Sequence, residues 1–328
     1  MAFVEISHLF VAYGRTMAVK NLSFQIPQGE VFGFIGPNGA GKTTTIKVLA
    51  TLLQPLDGQV TIGGMSVAWR PRAVRRMIGY MPDFFGVYEN LTVNEYLHFF
   101  AAAYRLDRAT RKSVVDDLLA LTDLGEKRDA PVDALSRGMK QRLGLARVLI
   151  HDPALLLLDE PASGLDPRAR IEIRELLKEL RRMCKTVLVS SHILHELSQV
   201  CTRIGILEAG RMVAEGSLED IYQQLGLKRL IHVQITNQTE EMIARAKAIP
   251  GVAGVDRHVD RLCFHVQEGV LAPEDLLEAL RALGARVYMF QIFHVEINEN
   301  VFGKIFPLNG SNSGFGGKSF LLLIVVVS

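Results

Sequence analysis

A glycine-rich segment at residues 36–43 has the residue types that bind phosphate. It matches the pattern G-x-x-x-x-G-K-[ST], in which glycines let backbone N–H groups converge on phosphate oxygens. The pattern predicts that Lys42 neutralises the β- and γ-phosphates of a nucleotide and that the Thr43 hydroxyl ligates Mg²⁺. An apolar run precedes the segment and a helical pattern at 44–53 follows it, so we expect the phosphates to meet a helix N-terminus. The residues predicted to bind these phosphates are Gly36, Pro37, Asn38, Gly39, Ala40, Gly41, Lys42, Thr43 and Thr44.

Two adjacent carboxylates follow another apolar run. Leu155 to Leu158 has the pattern of a buried strand, and Asp159 and Glu160 come directly after it. Burying two carboxylates together is costly unless a cation or a proton transfer uses them. The pattern favours Asp159 as a Mg²⁺ ligand, directly or through water, and Glu160 as the base that accepts a proton from attacking water. The alternative is that the pair only caps the following helix.

An α/β domain, expected at residues 1–228, must position these groups. Apolar runs without alternation are typical of parallel strands that are covered on both faces. Such runs are Val31 to Ile35, Ala154 to Leu158 and Thr186 to Ser190. Three early segments, 3–10, 22–26 and 59–62, instead indicate an antiparallel meander with glycine-containing turns. Residues 93–150 are predicted to be mostly helical.

A change of pattern at residue 229 predicts a second, smaller domain at 229–302. The expected order is βαββαβ, with the helices at 240–249 and 273–283, which is a ferredoxin-like α+β plan. Asn237 and Thr239 are predicted caps of the first of these helices. Residues 303–328 begin with a Gly-, Ser- and Asn-rich stretch, which predicts a flexible tail of unknown role.

The composition restricts the class of protein. The 328 residues carry a net charge of +2, with 48% hydrophobic and 22% charged residues, which excludes widespread disorder and gives no support to nucleic-acid binding. The longest apolar run, Phe320 to Val327, is too short to span a bilayer. Three widely spaced cysteines favour reduced thiols. We therefore expect a soluble, intracellular protein.

Three further segments complete a recognisable set. Leu135 to Arg142 contains Ser136, Arg137, Gly138 and Met139, and Ser163 to Asp166 and Ser191–His192 follow later in the chain. With the two segments above, and in this order, they resemble the ATP-binding cassette (ABC) family over residues 1–228. The resemblance implies a P-loop NTPase fold, with a mixed sheet core, an antiparallel β subdomain and an α-helical subdomain.

The resemblance also implies roles for single residues. Tyr13 matches the aromatic residue that stacks on adenine, although a strand-edge core residue is the alternative. Ser136 and Gly138 match the signature motif, which contacts the γ-phosphate of ATP bound to the other protomer. Asp166 matches the loop at the dimer interface, and His192 matches a histidine that contacts the γ-phosphate. The expected functional unit is a homodimer or paired cassette that closes head-to-tail over two ATP molecules.

The chain departs from the family pattern at two places. The usual signature is Leu-Ser-Gly-Gly-Gln, whereas Arg137 replaces its first glycine and Met139 its glutamine. We expect the Arg137 charge to lie near the γ-phosphate or on the partner surface. Asp83 stands where most cassettes have a glutamine that contacts Mg²⁺. Asp83 is predicted to reach the ion through water or after loop movement, or else to cap a turn with Phe84-Phe85-Gly86.

The second domain narrows the resemblance to the ATP-binding subunits of drug, sodium and polysaccharide exporters. This implies Mg²⁺-dependent ATP hydrolysis that drives a separately encoded integral-membrane permease, by a cytoplasmic protein peripheral on the inner face of the cell membrane. The alternative is a soluble ABC ATPase acting on a scaffold such as iron–sulfur cluster assembly, although those proteins normally lack the extra domain. Translation cassettes normally have two phosphate loops, and DNA-repair ATPases insert long coiled coils; the segment between Lys42 and Leu135 has no sustained heptads.

Overall fold

The computed structural model describes residues 2–84, 86, 88, 90–224, 228–237, 239–258, 261–267 and 270–293. The chain divides into two compact units, Met1–Ser217 and Leu218–Ser328, so the division falls earlier than the boundary expected at residue 228. The predicted tail at 303–328 lies outside the described residues. Within the described ranges, no helix combines the length and apolar character needed to cross a membrane.

The first unit contains ten strands and seven α-helices among its described residues. The strands are β1 (Ala2–Tyr13), β2 (Thr16–Pro27), β3 (Val31–Ile35), β4 (Asp57–Ile62), β5 (Met65–Ser66), β6 (Ile78–Met81), β7 (Leu155–Leu158), β8 (Thr186–Ser191), β9 (Arg203–Glu208) and β10 (Arg211–Gly216). The helices are α1 (Lys42–Leu49), α2 (Pro71–Met77), α3 (Val93–Ala103), α4 (Arg108–Leu121), α5 (Arg137–Leu149), α6 (Pro167–Arg182) and α7 (Leu194–Ser198).

A six-stranded sheet forms the centre of this unit, with the order β10-β9-β3-β8-β7-β6. Its strands are parallel except β10, which runs antiparallel to β9. Every residue of β3, β7 and β8 is buried, which confirms the parallel strands predicted from unbroken apolar runs. Because parallel strands end at one edge of a sheet, the segments that follow β3, β6, β7 and β8 meet there.

The antiparallel sheet of the first unit has the order β2-β1-β4-β5. It confirms the predicted antiparallel pairing, but β1 lies between β2 and β4, so the three strands do not form a meander. β1 and β2 also extend well beyond the predicted segments, with register shifts along their pairing. Its apolar face packs on the central sheet through Phe24, whose ring centroid lies 5.3 Å from that of Phe32 and 4.9 Å from that of Phe34. This packing fixes β3 and therefore the segment that follows it.

The helix after β3 differs from its predicted range of 44–53. It begins at Lys42, because Gly41 adopts a left-handed φ of 104° and caps it. It ends at Leu49, because Thr51 has a φ of 61° and the Leu52 N–H donates to the Lys47 carbonyl oxygen. A left-handed residue with such a bond is a common helix ending, which the apolar pattern alone did not indicate.

The second unit contains α8 (Leu218–Gln224), β11 (Lys228–Ile235), α9 (Glu240–Lys247), β12 (Val252–Arg257), β13 (Leu262–Gln267), α10 (Pro273–Ala282) and β14 (Val287–Phe293). Its antiparallel sheet has the order β12-β13-β11-β14, which confirms the predicted ferredoxin-like plan. Thr239 caps α9 by accepting from the Met242 N–H. Asn237, the other predicted cap, instead donates to the Gly284 carbonyl and accepts from the Arg286 N–H.

Candidate functional site

The loop between β3 and α1 requires glycine where the backbone passes closest to its neighbours. A Cβ atom on Gly36 would lie 2.3 Å from the Leu207 carbonyl oxygen, and one on Gly41 would lie 2.9 Å from the Ala18 carbonyl oxygen. No side chain accepts a capping hydrogen bond at the start of α1. The first turn of this helix therefore offers backbone N–H groups and positive potential to an anion.

Lys42 is the only cationic residue of this loop, and its side chain is buried, with 6% exposed. Its Nζ atom donates to the carbonyl oxygens of Gly36, at 2.6 Å, and Pro37, at 3.3 Å. The same atom lies 3.3 Å from Glu160 Oε1. The loop thus holds the ammonium group against its own carbonyl oxygens and beside the carboxylate of Glu160, which follows β7.

Asp159 lies at the end of β7 with its side chain bound to two hydroxyl groups. Its Oδ1 atom accepts from Thr43 Oγ1 at 3.1 Å and from Ser190 Oγ at 2.7 Å. Ser190 also accepts from the Glu160 N–H at 2.9 Å, so one hydroxyl group orients both acidic residues. Sequence reasoning missed Ser190, and its signal was a hydroxyl residue at the end of a buried strand, directly before Ser191 and His192.

Glu160 forms a pair with His192, whose Nδ1 atom lies 2.9 Å from Glu160 Oε2. Burial raises the pKa of Glu160, but the hydrogen bond with His192 and the charge of Lys42 outweigh it and lower the pKa below its usual value. The same hydrogen bond raises the pKa of His192. Glu160 has a φ of 50°, which is uncommon for a residue other than glycine. The site therefore keeps an ionised carboxylate at the edge of the sheet.

Thr43 and Asp159 fit a magnesium ion. A hydroxyl group and a carboxylate are hard oxygen ligands, and their hydrogen bond shows that the two oxygen atoms already lie together. In the described part of the chain, no group of three or more His, Cys, Asp or Glu residues could hold a metal ion. Mg²⁺ commonly binds through one or two protein oxygens plus substrate phosphates and water, so this small ligand set agrees with it.

Asp83 follows β6 and lies within electrostatic range of the two acidic residues. Partial burial raises its pKa, and the negative charges of Asp159 and Glu160 raise it further, against the lowering effect of Arg137 and His192. The structure therefore brings Asp83 to the edge of the sheet where the other predicted site residues lie. The alternative of a turn cap involves Phe85, which lies outside the described residues.

The predicted signature residues form a second group with Asp166. Ser136 caps α5 by accepting from the Met139 N–H at 3.2 Å, and Asp166 caps α6 by accepting from the Ala169 N–H at 3.0 Å. A Cβ atom on Gly138 would lie 2.8 Å from the Ala169 Cβ, so the two helix starts approach closely. The Arg137 guanidinium lies against Gly164 of its own chain, two residues before Asp166.

Tyr13 is the last residue of β1 and pairs with Thr16 at a hairpin. The residue is 50% exposed, which favours a ring that is free to stack on a base over the alternative of a strand-edge core residue. At Tyr13 the chain therefore exposes an aromatic ring, whereas the phosphate loop exposes hydrogen-bond donors.

Comparisons with known proteins identify the family of this chain. The family model described as ABC transporter matches residues 19–163. The chain is 34% identical over 247 residues to the linearmycin resistance ATP-binding protein LnrL of Bacillus subtilis (strain 168), covering 75% of this chain and 79% of that protein. It is 42% identical over 213 residues to the Nod factor export ATP-binding protein I of Rhizobium meliloti, covering 65% of this chain and 64% of that protein.

Two solved structures share the fold. The ATP-binding subunit of an ABC transporter is 34% identical and superposes with a TM-score of 0.62 over 68% of this chain and 93% of that chain. The dimeric structure of the bacterial ABC transporter cassette MJ0796 is 27% identical, with a TM-score of 0.60 over 66% of this chain and 98% of that chain. With this coverage and identity, the chain belongs to the family of ABC transporter ATP-binding proteins, which hydrolyse ATP to drive transport.

Proposed function

We propose that residues 36–44, Asp159, Glu160 and His192 bind and hydrolyse ATP. The observation that carries this proposal is the contact of Lys42 Nζ with both the phosphate-loop carbonyls and Glu160, 3.3 Å away. A γ-phosphate bound at the start of α1 would take the place of the loop carbonyls as the acceptor for Lys42. The γ-phosphorus would then lie beside the carboxylate of Glu160.

The hydrolytic step follows from the charges of this chain. Glu160 is ionised because the pKa of its carboxyl group is lowered by His192 and Lys42. Its carboxylate takes a proton from the attacking water while the water oxygen bonds to the γ-phosphorus and the bond to the β-phosphate oxygen breaks. His192 would hold the glutamate in place through their hydrogen bond and would contact the transferred phosphoryl group. Thr43 and Asp159 would hold Mg²⁺, which when bound would neutralise negative charge on the phosphate oxygens.

The active form proposed for this chain is a head-to-tail dimer. Ser136 and Gly138 lie at the start of α5, where the hydroxyl group and the helix N-terminus can bind a phosphate of ATP on the facing protomer. Asp166 starts α6 beside them and would lie at the same interface. The dimeric form of the related cassette MJ0796 supports this arrangement. The partner is a second copy or a paired cassette.

We propose further that the dimer drives export through a separately encoded membrane permease. The names of the relatives, a linearmycin resistance protein and a Nod factor export protein, support the exporter class but give no substrate for this chain. The second unit, with its ferredoxin-like sheet, would be the accessory domain of this class. The protein would then act in the cytoplasm, at the inner face of the cell membrane.

Purification from membranes tests this proposal. The tagged chain, and as a control its Lys42→Ala variant, are expressed in the source cells, extracted with detergent and assayed for ATP hydrolysis. We expect a multi-span membrane protein to copurify with the parent chain and to raise its Mg²⁺-dependent phosphate release. Recovery with soluble proteins alone would favour the soluble-scaffold alternative and contradict the exporter proposal, and no phosphate release by either sample would contradict the ATPase.

A further inference from the structure

The guanidinium group of Arg137 covers a glycine of its own chain. A Cβ atom on Gly164 would lie 2.5 Å from Arg137 Nη1 and 2.6 Å from both Cζ and Nη2, so the planar group lies flat on this position. Gly164 also has a φ of 65°, which L side chains rarely adopt. The positive φ favours glycine here, and the absence of a side chain lets the guanidinium group lie directly on the backbone, from which a larger residue would displace it.

A second arginine fixes the same loop from α6. Arg170 Nε donates to the Leu165 carbonyl oxygen at 3.0 Å, and its Nη1 atom lies 3.0 Å from Glu196 Oε1. The loop at 163–166 is thus held at Gly164 by α5 and at Leu165 by α6. It leads directly from Glu160 to the Asp166 cap, so its conformation links the carboxylate to the start of α6.

The starts of α5 and α6 also touch each other. A Cβ atom on Gly138 would lie 2.8 Å from the Ala169 Cβ, which leaves no room for a larger residue at position 138. Arg137, the residue directly before Gly138, adds a second contact through its guanidinium group on Gly164. The sequence predicted an Arg137 charge near the γ-phosphate or on the partner surface; in the single chain the guanidinium lies on Gly164, and its charge also acts on Asp83 at the edge of the sheet.

We propose that Arg137 is a positioning residue that holds the loop at 163–166 and the start of α5 in a fixed arrangement. This rests on the proposed function, because both segments are proposed to lie at the dimer interface. A protomer whose two interface segments are already ordered loses less conformational entropy when the dimer closes. Arginine suits this position better than lysine, because its planar fork can lie on the glycine backbone while an ammonium group cannot.

Hydrogen exchange on the isolated chain without nucleotide tests the contact itself. In Arg137→Ala, amide exchange in peptides covering 163–169 becomes faster, and Arg137→Lys lies between that variant and the parent. Lys140→Ala is the matched control, since Lys140 is the next cation along α5 and donates to the Asp133 carbonyl oxygen. The control leaves exchange at 163–169 unchanged. Equal exchange in Arg137→Ala and the parent would overturn the proposal.

ATP-induced dimer formation tests the role. Dissociation constants are measured by sedimentation in a Glu160→Gln background, which removes turnover. Arg137→Ala weakens the dimer roughly fivefold, the size expected for residues in direct contact, while ATP affinity of the monomer stays the same. An unchanged dimer constant would overturn the positioning role even if exchange had changed. If Glu160→Gln with Arg137 intact forms no ATP-dependent dimer, the proposed function fails, and hydrogen exchange alone decides the contact.

A double-mutant cycle separates this contact from backbone strain. Gly164→Ala in the parent both strains the loop and displaces the guanidinium, whereas in Arg137→Ala only the strain remains. The combined effect of the two changes on the dimer constant is therefore smaller than the product of the single effects. Independent effects of the two changes would show that Arg137 acts elsewhere, for example on the facing protomer.

Discussion

The edge of the six-stranded sheet in the first unit differs from the sheet of the second unit in where its charged groups lie. In the first, Lys42 and Asp159 are 5% and 1% exposed and Glu160 contacts both Lys42 and His192. In the second, the described ion pairs Arg257–Glu240 and His265–Asp256 lie at the surface. Both sheets have apolar cores, so hydrophobic packing alone does not explain the difference.

Burying a charged group lowers the stability of the fold, yet the first unit buries charged groups at the edge where the strands of its central sheet end. Removing a charge from water lowers stability unless partners restore it. The Ser190 hydroxyl, the Thr43 hydroxyl and the His192 ring are such partners. Exposed ion pairs contribute little to stability or chemistry. The contrast predicts that changes at the first edge affect hydrolysis, and that matched changes in the second unit do not.

The largest expected effect is the loss of the base. Glu160→Gln keeps the size of the side chain but cannot accept the proton, so kcat for ATP hydrolysis falls by ~10²–10⁴. Glu240→Gln, which changes an exposed glutamate of the second unit, leaves kcat as in the parent. Phosphate release at saturating ATP measures both. Turnover close to that of the parent in Glu160→Gln would remove Glu160 from this role.

Asp83 is expected to give a smaller effect. Its carboxylate lies in the field of Asp159 and Glu160, and removing it changes the position of groups around the attacking water. Asp83→Ala lowers permease-stimulated ATP hydrolysis about tenfold, as loss of a group supporting a metal site commonly does. Asp83→Gln retains more activity, because its amide oxygen can still accept a hydrogen bond from a water of the metal site. Two variants with parental stimulated rates would make Asp83 a structural residue.

Helix caps separate stability from chemistry. Ser136→Ala and Thr239→Ala each remove a side-chain acceptor at a helix start, in the first and second unit respectively, and each lowers the free energy of unfolding by about 1 kcal/mol. Only Ser136→Ala also lowers kcat, because its hydroxyl group is proposed to contact ATP on the facing protomer. Urea denaturation and phosphate release measure the two quantities. A loss of kcat in Thr239→Ala as well would show that stability alone accounts for the effect.

The smallest expected effect is the pH dependence of the Glu160–His192 pair. The pKa of His192 is raised by the hydrogen bond that its ring donates to Glu160, so its contribution to stability is fully present below its usual pKa and is lost as pH rises through the folded value. The difference in free energy of unfolding between the parent and His192→Ala therefore shrinks from pH 6 to pH 9. In a Glu160→Gln background the difference loses this pH dependence. A constant difference in the parent background would contradict the pair.

The sequence predicts what is local and leaves out what depends on neighbours. The sequence correctly placed the loop at 36–43 and the carboxylates after β7 at the edge of the sheet, because each lies within a few residues of a strand end. The end of α1 was wrong by several residues, because Thr51 adopts a left-handed conformation that its residue type does not announce. The strand pairing of the second unit was correct in plan, since its alternation and helix spacing are strong.

Contacts between segments that are distant in the chain could not be predicted from the sequence patterns. Ser190 lies 31 residues after Asp159 and binds it, and the hydroxyl residue gave no sign of its partner. Arg137 was expected to face the γ-phosphate or another chain, and its contact with Gly164 depends on how α5 and α6 approach each other. Both belong to the packing of the central sheet, which a pattern along one segment does not determine.

Binding of Mg²⁺-ATP to the purified chain tests the central claim most directly, since it asks whether the start of α1 is the nucleotide site. Lys42→Ala removes a charge-assisted contact, so its ATP affinity falls by about tenfold or more. Lys47→Ala, a change on the same helix that leaves the loop intact, binds ATP like the parent. ATP affinity equal in Lys42→Ala and the parent would contradict the account.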